Sequence, residues 1–279
     1  SNDGVLLGEF QKKGHRVLGV DPARNIAKLA NERGIPTLAE FFSVPLAKKI
    51  VSEHGFAKVV IGNNVVAHID DHEDLFAGIA ELLAREGVCI FEAPYVVDMV
   101  ENLTFDTVYH EHMSYLSVRP LVHFLNRYGL EIIDVKLFPV QGNSLRVYAG
   151  RKGRHVVQSS VKEFLEKEKS LDMDKSSTYV HLAKQVAHLK EKIVGTLREL
   201  KRQGNRIAGY GAPAKGNTLL NYFGIGPDLL DYVTEALPSK ISLYTPGMHI
   251  PVVDIEEARK DPPDYYLLLA WNYKDAVLE

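Results

Sequence analysis

The sequence predicts an α/β chain of two doubly wound units built on parallel sheets, and three observations predict it. Short β-branched runs alternate with amphipathic segments through Phe91. Two strand-like runs near residues 130–150 then break the alternation, and a strand, glycine-rich turn and helix begin again after Gly204. Such alternation argues for sheets covered by helices on both faces.

The elements follow in order. "GVLLGEFQKKGHRVLGVD" reads as a helix stopped near Gly14, then a strand from Arg16 to Val20 ending in Asp21. "PARNIAKLANERG" places Pro22 at a first-turn position and Gly34 as the C-terminal stop. "KVVIGN" (58–63) is a strand, "DLFAGIAELLAREG" a helix, and Val88 to Phe91 another strand. "LEIIDVKLFPV" and "SLRVYAG", separated by "QGN", read as an antiparallel pair ending the first sheet. A long amphipathic helix then runs through Leu182, Val186, Leu189, Ile193, Leu197 and Leu200, and Gly204 ends it. "NRIAGYGAPAKGNTLLNYFG" is strand, turn and helix, and "PDYYLLLAWNY" supplies a further buried strand. The expected division is a domain over 1–151, a helical linker over 152–203 and a smaller domain over 204–279. Both ends read as cut: "SNDG" has no strand before it, and Glu279 falls inside what reads as a helix.

At 279 residues, 46% hydrophobic and 25% charged, the chain has room for two medium domains with a substantial core. A formal net charge of −3 argues against a general nucleic-acid binder. No apolar run is long enough to span a bilayer, and no signal peptide opens the chain. With Cys89 as its single cysteine, neither a disulfide framework nor a cysteine-based zinc site is available within it. The expectation is a cytoplasmic monomer or weak homodimer with no metal site and neither membrane nor nucleic acid as partner.

Four stretches carry chemistry. "SNDG" before a helix puts Gly4 and backbone N–H groups at a turn a ligand can approach, and Asp21, at the end of the next strand, is placed to bind a ribose diol. That arrangement fits NAD or S-adenosylmethionine, and the absence of the G-x-G-x-x-G glycines disfavours NAD. Asn63, Asn64 and His68 in "IGNNVVAH" follow a strand, at the sheet edge where open α/β folds bind ligands, though His68 alone reads equally as a packed or surface histidine. In "YHEH" (109–112), the bland reading is a solvated loop. The chemical reading is a histidine base with orienting groups, and metal binding is the weaker alternative because no further ligand cluster accompanies His110 and His112. "GYGAPAKGNT" (209–218) surrounds a lysine with glycines between a strand and a helix, a build suited either to cradling phosphate or to a structural turn.

Together these segments resemble the S-adenosylmethionine-dependent C-methyltransferases of deoxysugar biosynthesis, which act on nucleotide-linked keto-sugars. The likeness is carried by "SNDG" with "GVDP", "NNVVAH", "FEAPY", "FDTVYHEHMSY", "GYGAPAKGNT", "GIGPDLLDYV", "TPGMHIPV" and "DYYLLLAWN", in family order over nearly the whole chain. It implies a Rossmann-like class I methyltransferase domain and a second, smaller Rossmann-like domain that holds the nucleotide-linked sugar. S-adenosylmethionine is the implied cofactor and S-adenosylhomocysteine the product. The family's zinc belongs to an N-terminal domain whose cysteines are not in this chain.

The resemblance also distributes roles. Gly4, Asp21, Asn63 and Asn64 are the cofactor-binding candidates, and Gly209, Tyr210, Gly211, Lys215 and Asn217 the substrate-binding ones. His112, the histidine of Y-x-E-H, is the base that removes a proton beside a ketone. Tyr109 and Glu111 orient the sugar or stabilise the enolate oxygen, Glu111 donating only if protonated. His68, matching N-x-x-x-H, is a second acid/base candidate, and His110 takes no role. Two other readings stay open: an O- or N-methyltransferase on a small molecule, and a non-catalytic nucleotide-sugar binding protein.

Overall fold

The computed structural model describes residues 2–139, 143–274 and 277. Contacts divide the chain into two units whose segments interleave. The first comprises Ser1–Ala93, Leu116–Leu137 and Leu145–Glu166, and the second Pro94–Tyr115, Phe138–Ser144 and Lys167–Glu279.

The first unit opens with α1 (Val5–Lys12), capped by Gly4 in the left-handed conformation. Gly14, also left-handed, follows it, as its position in the sequence predicts. Next come β1 (Gly19–Val20), α2 (Arg24–Glu32) and β2 (Thr37–Leu38), with β1 and β2 paired in parallel. Pro22 lies before the N-cap Ala23 and not in the first turn, because the carboxylate of Asp21 takes the Ala23 N–H and turns the chain there. Asn31 closes the α2–β2 connection by bonding both backbone groups of Thr37.

Helix α3 (Val44–His54) starts at Ser43, whose hydroxyl accepts from Leu46 N–H. Strand β3 (Ala57–Asn63) and helix α4 (His72–Leu82) follow. Asp74 of α4 accepts the N–H of Val44, tying the two helix starts together. Leu46, Ala47, Ile50 and Leu82 form a buried cluster against Leu18, Val20, Leu38 and Val60.

The helix expected over "DLFAGIAELLAREG" stops at Leu82, and its last residues enter β4 (Leu83–Pro94). Leu83 is fully buried opposite Ala57, so packing overrides the local helical preference. The register then jumps, with Val59 facing Val88. Gly87 lies inside that irregularity, where a Cβ would stand 2.9 Å from the Ala57 carbonyl oxygen.

Between β4 and the rest of its sheet come α5 (Val96–Asn102), which belongs to the second unit, and α6 (Val118–Asn126). The sheet is completed by β5 (Leu130–Phe138) and β6 (Ser144–Arg151), in the order β3-β4-β6-β5. Only residues 139–143 separate β5 from β6, too few for a parallel crossover, so the pair is antiparallel as expected. Residues 140–142, most of the predicted tight connection, lie outside the described residues, as does the chain end at Glu279.

Helix α7 (Ser159–Ser170) precedes the long α8 (Ser176–Arg202). In α8 the buried positions are Leu182, Val186, Val194 and Leu197, while Leu189, Ile193 and Leu200 are half-buried. In the second unit β7 (Ile207–Tyr210), α9 (Ala214–Phe223), β8 (Tyr232–Glu235), β9 (Val252–Asp254), α10 (Ile255–Lys260) and β10 (Tyr265–Leu268) form a parallel sheet in the order β10-β7-β8-β9. Its core is Ile207, Leu220, Phe223, Ile225, Val233, Ile250 and Leu269. Among the described residues no helix is long and apolar enough to cross a membrane.

Two effects oppose each other in Gly87→Ala. Removing a strand glycine gains about 0.5–1 kcal/mol of backbone entropy. Forcing a methyl against a backbone oxygen and the Leu83 side chain costs about 1–3 kcal/mol. The clash is with backbone that cannot rotate away, so a net destabilisation is expected. It is read as a lower denaturant midpoint at constant m-value.

Candidate active site

The stretch 103–117 has little regular structure, and what holds it is side-chain and local backbone bonding. A 3-10 turn, Phe105–Thr107, follows α5. Thr107 closes it, giving both its hydroxyl and its N–H to the carbonyl of Thr104, at 2.8 and 3.1 Å. The free face of that turn presents the Thr107 carbonyl, which lies 2.8 Å from His112 Nδ1. A carbonyl only accepts, so Nδ1 carries the proton and the lone pair of a neutral His112 sits on Nε2. Tyr109 Oη lies 3.1 Å from that nitrogen and donates to it, with the two rings 4.3 Å apart.

Burial raises the Tyr109 phenol above its ordinary value, and the charges of Glu111 and Asp106 push the same way. At neutral pH it is therefore a donor. Tyr109, His112 and Thr107 form one local constellation, which the spacing 109/112 makes legible in the sequence. The Glu111 side chain is 55% exposed and lies 3.9 Å from the exposed His110.

In the first unit the other candidates lie at strand ends. Asp21 accepts from Asn2 N–H at 2.8 Å and from Ala23 N–H at 3.0 Å. Burial pushes its carboxyl up, the Ala23 and Asn2 N–H groups are among the groups that oppose it, and the net direction is below the usual carboxylate range. Gly4 combines a φ of 84° with a Cβ position 3.1 Å from Ile35, so an L side chain there meets both strain and a filled space. Asn63 pairs in register with Glu92 of β4, and Asn64 takes φ 52° while giving its N–H to the Glu92 carbonyl. Asn64 Oδ1 is buried with no protein partner. His68 ends a 3-10 turn, Val66–His68, and is exposed.

These groups fit a nucleoside. An ionised carboxylate at the end of β1 and an amide oxygen waiting for a donor at the end of β3 suit hydroxyls and an amine. Among the described residues no three His, Cys, Asp or Glu side chains are grouped to hold a metal ion.

The glycine-rich turn of the second unit is filled largely by the protein itself. A Cβ on Gly209 would stand 2.8 Å from Val233 Cγ1, and one on Gly211 3.2 Å from Ala270 Cβ. These glycines serve close packing of β7 on its neighbours. The Gly211 N–H goes to Thr234 Oγ1. Helix α9 has Pro213 as its N-cap with no side-chain cap, and Asn217 gives its N–H to the Pro213 carbonyl while its own carbonyl accepts from Asn221 Nδ2. Tyr210 packs edge-on against Tyr266.

Lys215 is not an isolated charge: its Nζ lies 4.4 Å from the centroid of the Trp271 ring. Burial lowers its pKa, while Asp106 opposes that shift. Asp106 in turn accepts a 2.6 Å hydrogen bond from Trp271 Nε1. Sequence reasoning assigned no role to Asp106 or Trp271. Both stand in stretches that carried the resemblance, but nothing local signals that they meet. Glu92, buried and paired with Arg146 at the end of the first sheet, was likewise missed.

Comparison with known proteins places this geometry in a family. Residues 139–279 match the family described as C-methyltransferase C-terminal domain, and residues 1–135 match a methyltransferase domain family. The chain is 37% identical over its whole length to the C-methyltransferase NovU of Streptomyces niveus, spanning 67% of that protein. Among solved structures, magnesium protoporphyrin IX methyltransferase of Synechocystis aligns over 54% of this chain and 71% of its own, at 16% identity and a TM-score of 0.43. A TehB-like methyltransferase of Corynebacterium glutamicum aligns over 54% and 76%, at 17% identity and a TM-score of 0.39. By the family match and the relationship to NovU, the chain belongs to the C-methyltransferases and is an S-adenosylmethionine-dependent methyltransferase.

Proposed function

We propose that this C-methyltransferase acts on a nucleotide-linked keto-deoxysugar, with His112 as the base that makes the carbon nucleophilic. The observation that carries the proposal is the fixed tautomer of His112. With Nδ1–H committed to the Thr107 carbonyl, Nε2 is the one ring nitrogen able to take a proton.

Forming a bond to carbon requires an electron pair there, and removing a proton beside a ketone supplies one as an enolate. His112 Nε2 receives that proton and becomes an imidazolium, whose second N–H remains on Thr107. Tyr109, protonated and now released from the nitrogen, donates to the enolate oxygen as a preorganised group. Glu111, exposed, is suited to accept from a sugar hydroxyl, and His68 stands as the reserve acid/base. Bound S-adenosylmethionine supplies the electrophilic methyl group on a sulfonium. Gly4, Asp21, Asn63 and Asn64 hold its nucleoside, Asp21 taking the ribose hydroxyls and Asn64 Oδ1 a donor. In the second unit the turn Gly209–Asn217 takes the diphosphate, the uncapped N-terminus of α9 offering N–H groups and Lys215 a positive charge.

Three measurements test this. Asp21→Ala removes a charge-assisted acceptor worth about 1.5–3 kcal/mol, so calorimetric affinity for S-adenosylhomocysteine is expected to fall roughly 10- to 100-fold. Unchanged affinity removes Asp21 from the cofactor site.

His112→Asn is expected to lower kcat by about 10²–10⁴-fold while cofactor affinity holds. In heavy water the wild-type enzyme exchanges the substrate proton beside the ketone and the variant does not. Normal exchange in the variant transfers the role to another base, with His68 next in line.

Lys215→Met keeps the apolar stem against Trp271 and removes the charge. It is expected to weaken binding of a free nucleoside diphosphate and leave S-adenosylhomocysteine binding unaltered. Equal nucleotide affinity in the two proteins makes the turn purely structural.

A further inference from the structure

We propose that Trp271 is a positioning residue for His112, acting through the hydrogen bond between its indole N–H and Asp106. The inference rests on the reading of His112 as the base, and it concerns what keeps that base in one orientation.

The bond from His112 Nδ1 ends on a backbone carbonyl, so the proton on that nitrogen is held by the 3-10 turn Phe105–Thr107. Three residues of 3-10 turn have little stability of their own. Their support comes from residues far along the chain. Phe105 stacks on Phe223 at 5.1 Å and packs on Tyr222 at 5.6 Å, both from the end of α9. Asp106, 2% exposed, receives Trp271 Nε1–H at 2.6 Å. Lys215, at the start of α9, lies over the Trp271 ring and acts electrostatically on Asp106. The turn is thus gripped on consecutive residues by the two ends of α9 and by the segment after β10.

Burial alone would push the Asp106 carboxyl up. Trp271, Lys215 and the backbone N–H groups of Asp106 and Thr107 oppose that, and the net direction is still upward. Removing the indole donor therefore takes from this buried carboxyl the donor that reaches it from outside the turn, and the turn relieves the loss by moving toward solvent. A displaced Thr107 carbonyl releases the proton of Nδ1, and the imidazole is free to take the other tautomer. In that tautomer Nε2 carries the hydrogen and cannot act as a base. The lone cluster of Asp106, Trp271 and Lys215 thereby influences a proton transfer it does not touch.

The test is Trp271→Phe in the intact enzyme, which keeps an aromatic ring under Lys215 and deletes the N–H donor together with the five-membered ring that carries it. With ¹⁵N-labelled histidine, NMR of wild type is expected to show His112 as the Nδ1–H tautomer, and of the variant a mixture or the Nε2–H form. With a nucleotide-linked 4-keto sugar, kcat is expected to fall roughly 10- to 100-fold, as for small misplacements of a reacting group, with KM unchanged. Adding Trp271→Phe to His112→Asn is expected to cost nothing further, because the two act through one group. Asp106→Asn, which retains an acceptor oxygen for the indole, is expected to keep most of the rate, and Asp106→Leu to reproduce the Trp271 defect.

An unchanged tautomer in a folded Trp271→Phe variant overturns the proposal. So does a full, independent loss of rate on top of His112→Asn. If Trp271→Phe fails to fold, the Asp106→Asn and Asp106→Leu pair decides by the same tautomer signal, and equal signals in the two overturn it. The tautomer is read without substrate, so this failure is distinct from failure of the base assignment, which shows as normal proton exchange in His112→Asn.

Discussion

One bond decides which nitrogen of His112 carries the proton: the Nδ1–H of His112 on the carbonyl of Thr107. A neutral imidazole has one donor and one acceptor nitrogen, and committing the donor decides which nitrogen can receive a proton. Everything around it serves that decision. Tyr109 caps the acceptor nitrogen with a phenol that burial keeps protonated. A single hydrogen bond of this kind is worth only about 0.5–1.5 kcal/mol net, too little by itself to order an irregular segment. The aromatic packing of Phe105 and the buried Asp106–Trp271 bond supply the remainder.

The first unit works under a different constraint, the need to hold polar groups at the ends of strands. Asp21 illustrates it. One oxygen organises the turn into α2 by accepting the Ala23 N–H, the other accepts the Asn2 N–H, and both bonds favour the ionised form. A carboxylate offers about four acceptor sites, so a structural bond does not by itself exclude a ligand. At the end of β4, in register with Asn63, the buried Glu92 pairs with the half-buried Arg146, and losing the arginine would strand a buried charge.

Much of this was legible beforehand. Gly14, Gly34 and Gly204 stop helices where the sequence places them, all three in the left-handed conformation. The Tyr109–His112 pairing follows from a spacing of three in a turn. The glycines at 209 and 211 stand at the turn between a strand and a helix as read, and their missing side chains make room for Val233, Leu269 and Ala270. The helix over residues 74–87 was read too long because Leu83 prefers helix locally and is claimed by β4 instead.

By itself the sequence determined the element types, their punctuation and the local constellation of Tyr109 and His112, because each depends on residues within a few positions of one another. Periodicity, turn residues and capping are short-range physics. Only the tertiary structure decided that Pro94–Tyr115 packs with the later unit, and that Trp271 reaches Asp106 across 165 residues. Such pairings depend on the path of the chain and on which buried donors find acceptors. No local pattern encodes that path, since a buried aspartate and a tryptophan look the same in sequence whether or not they meet.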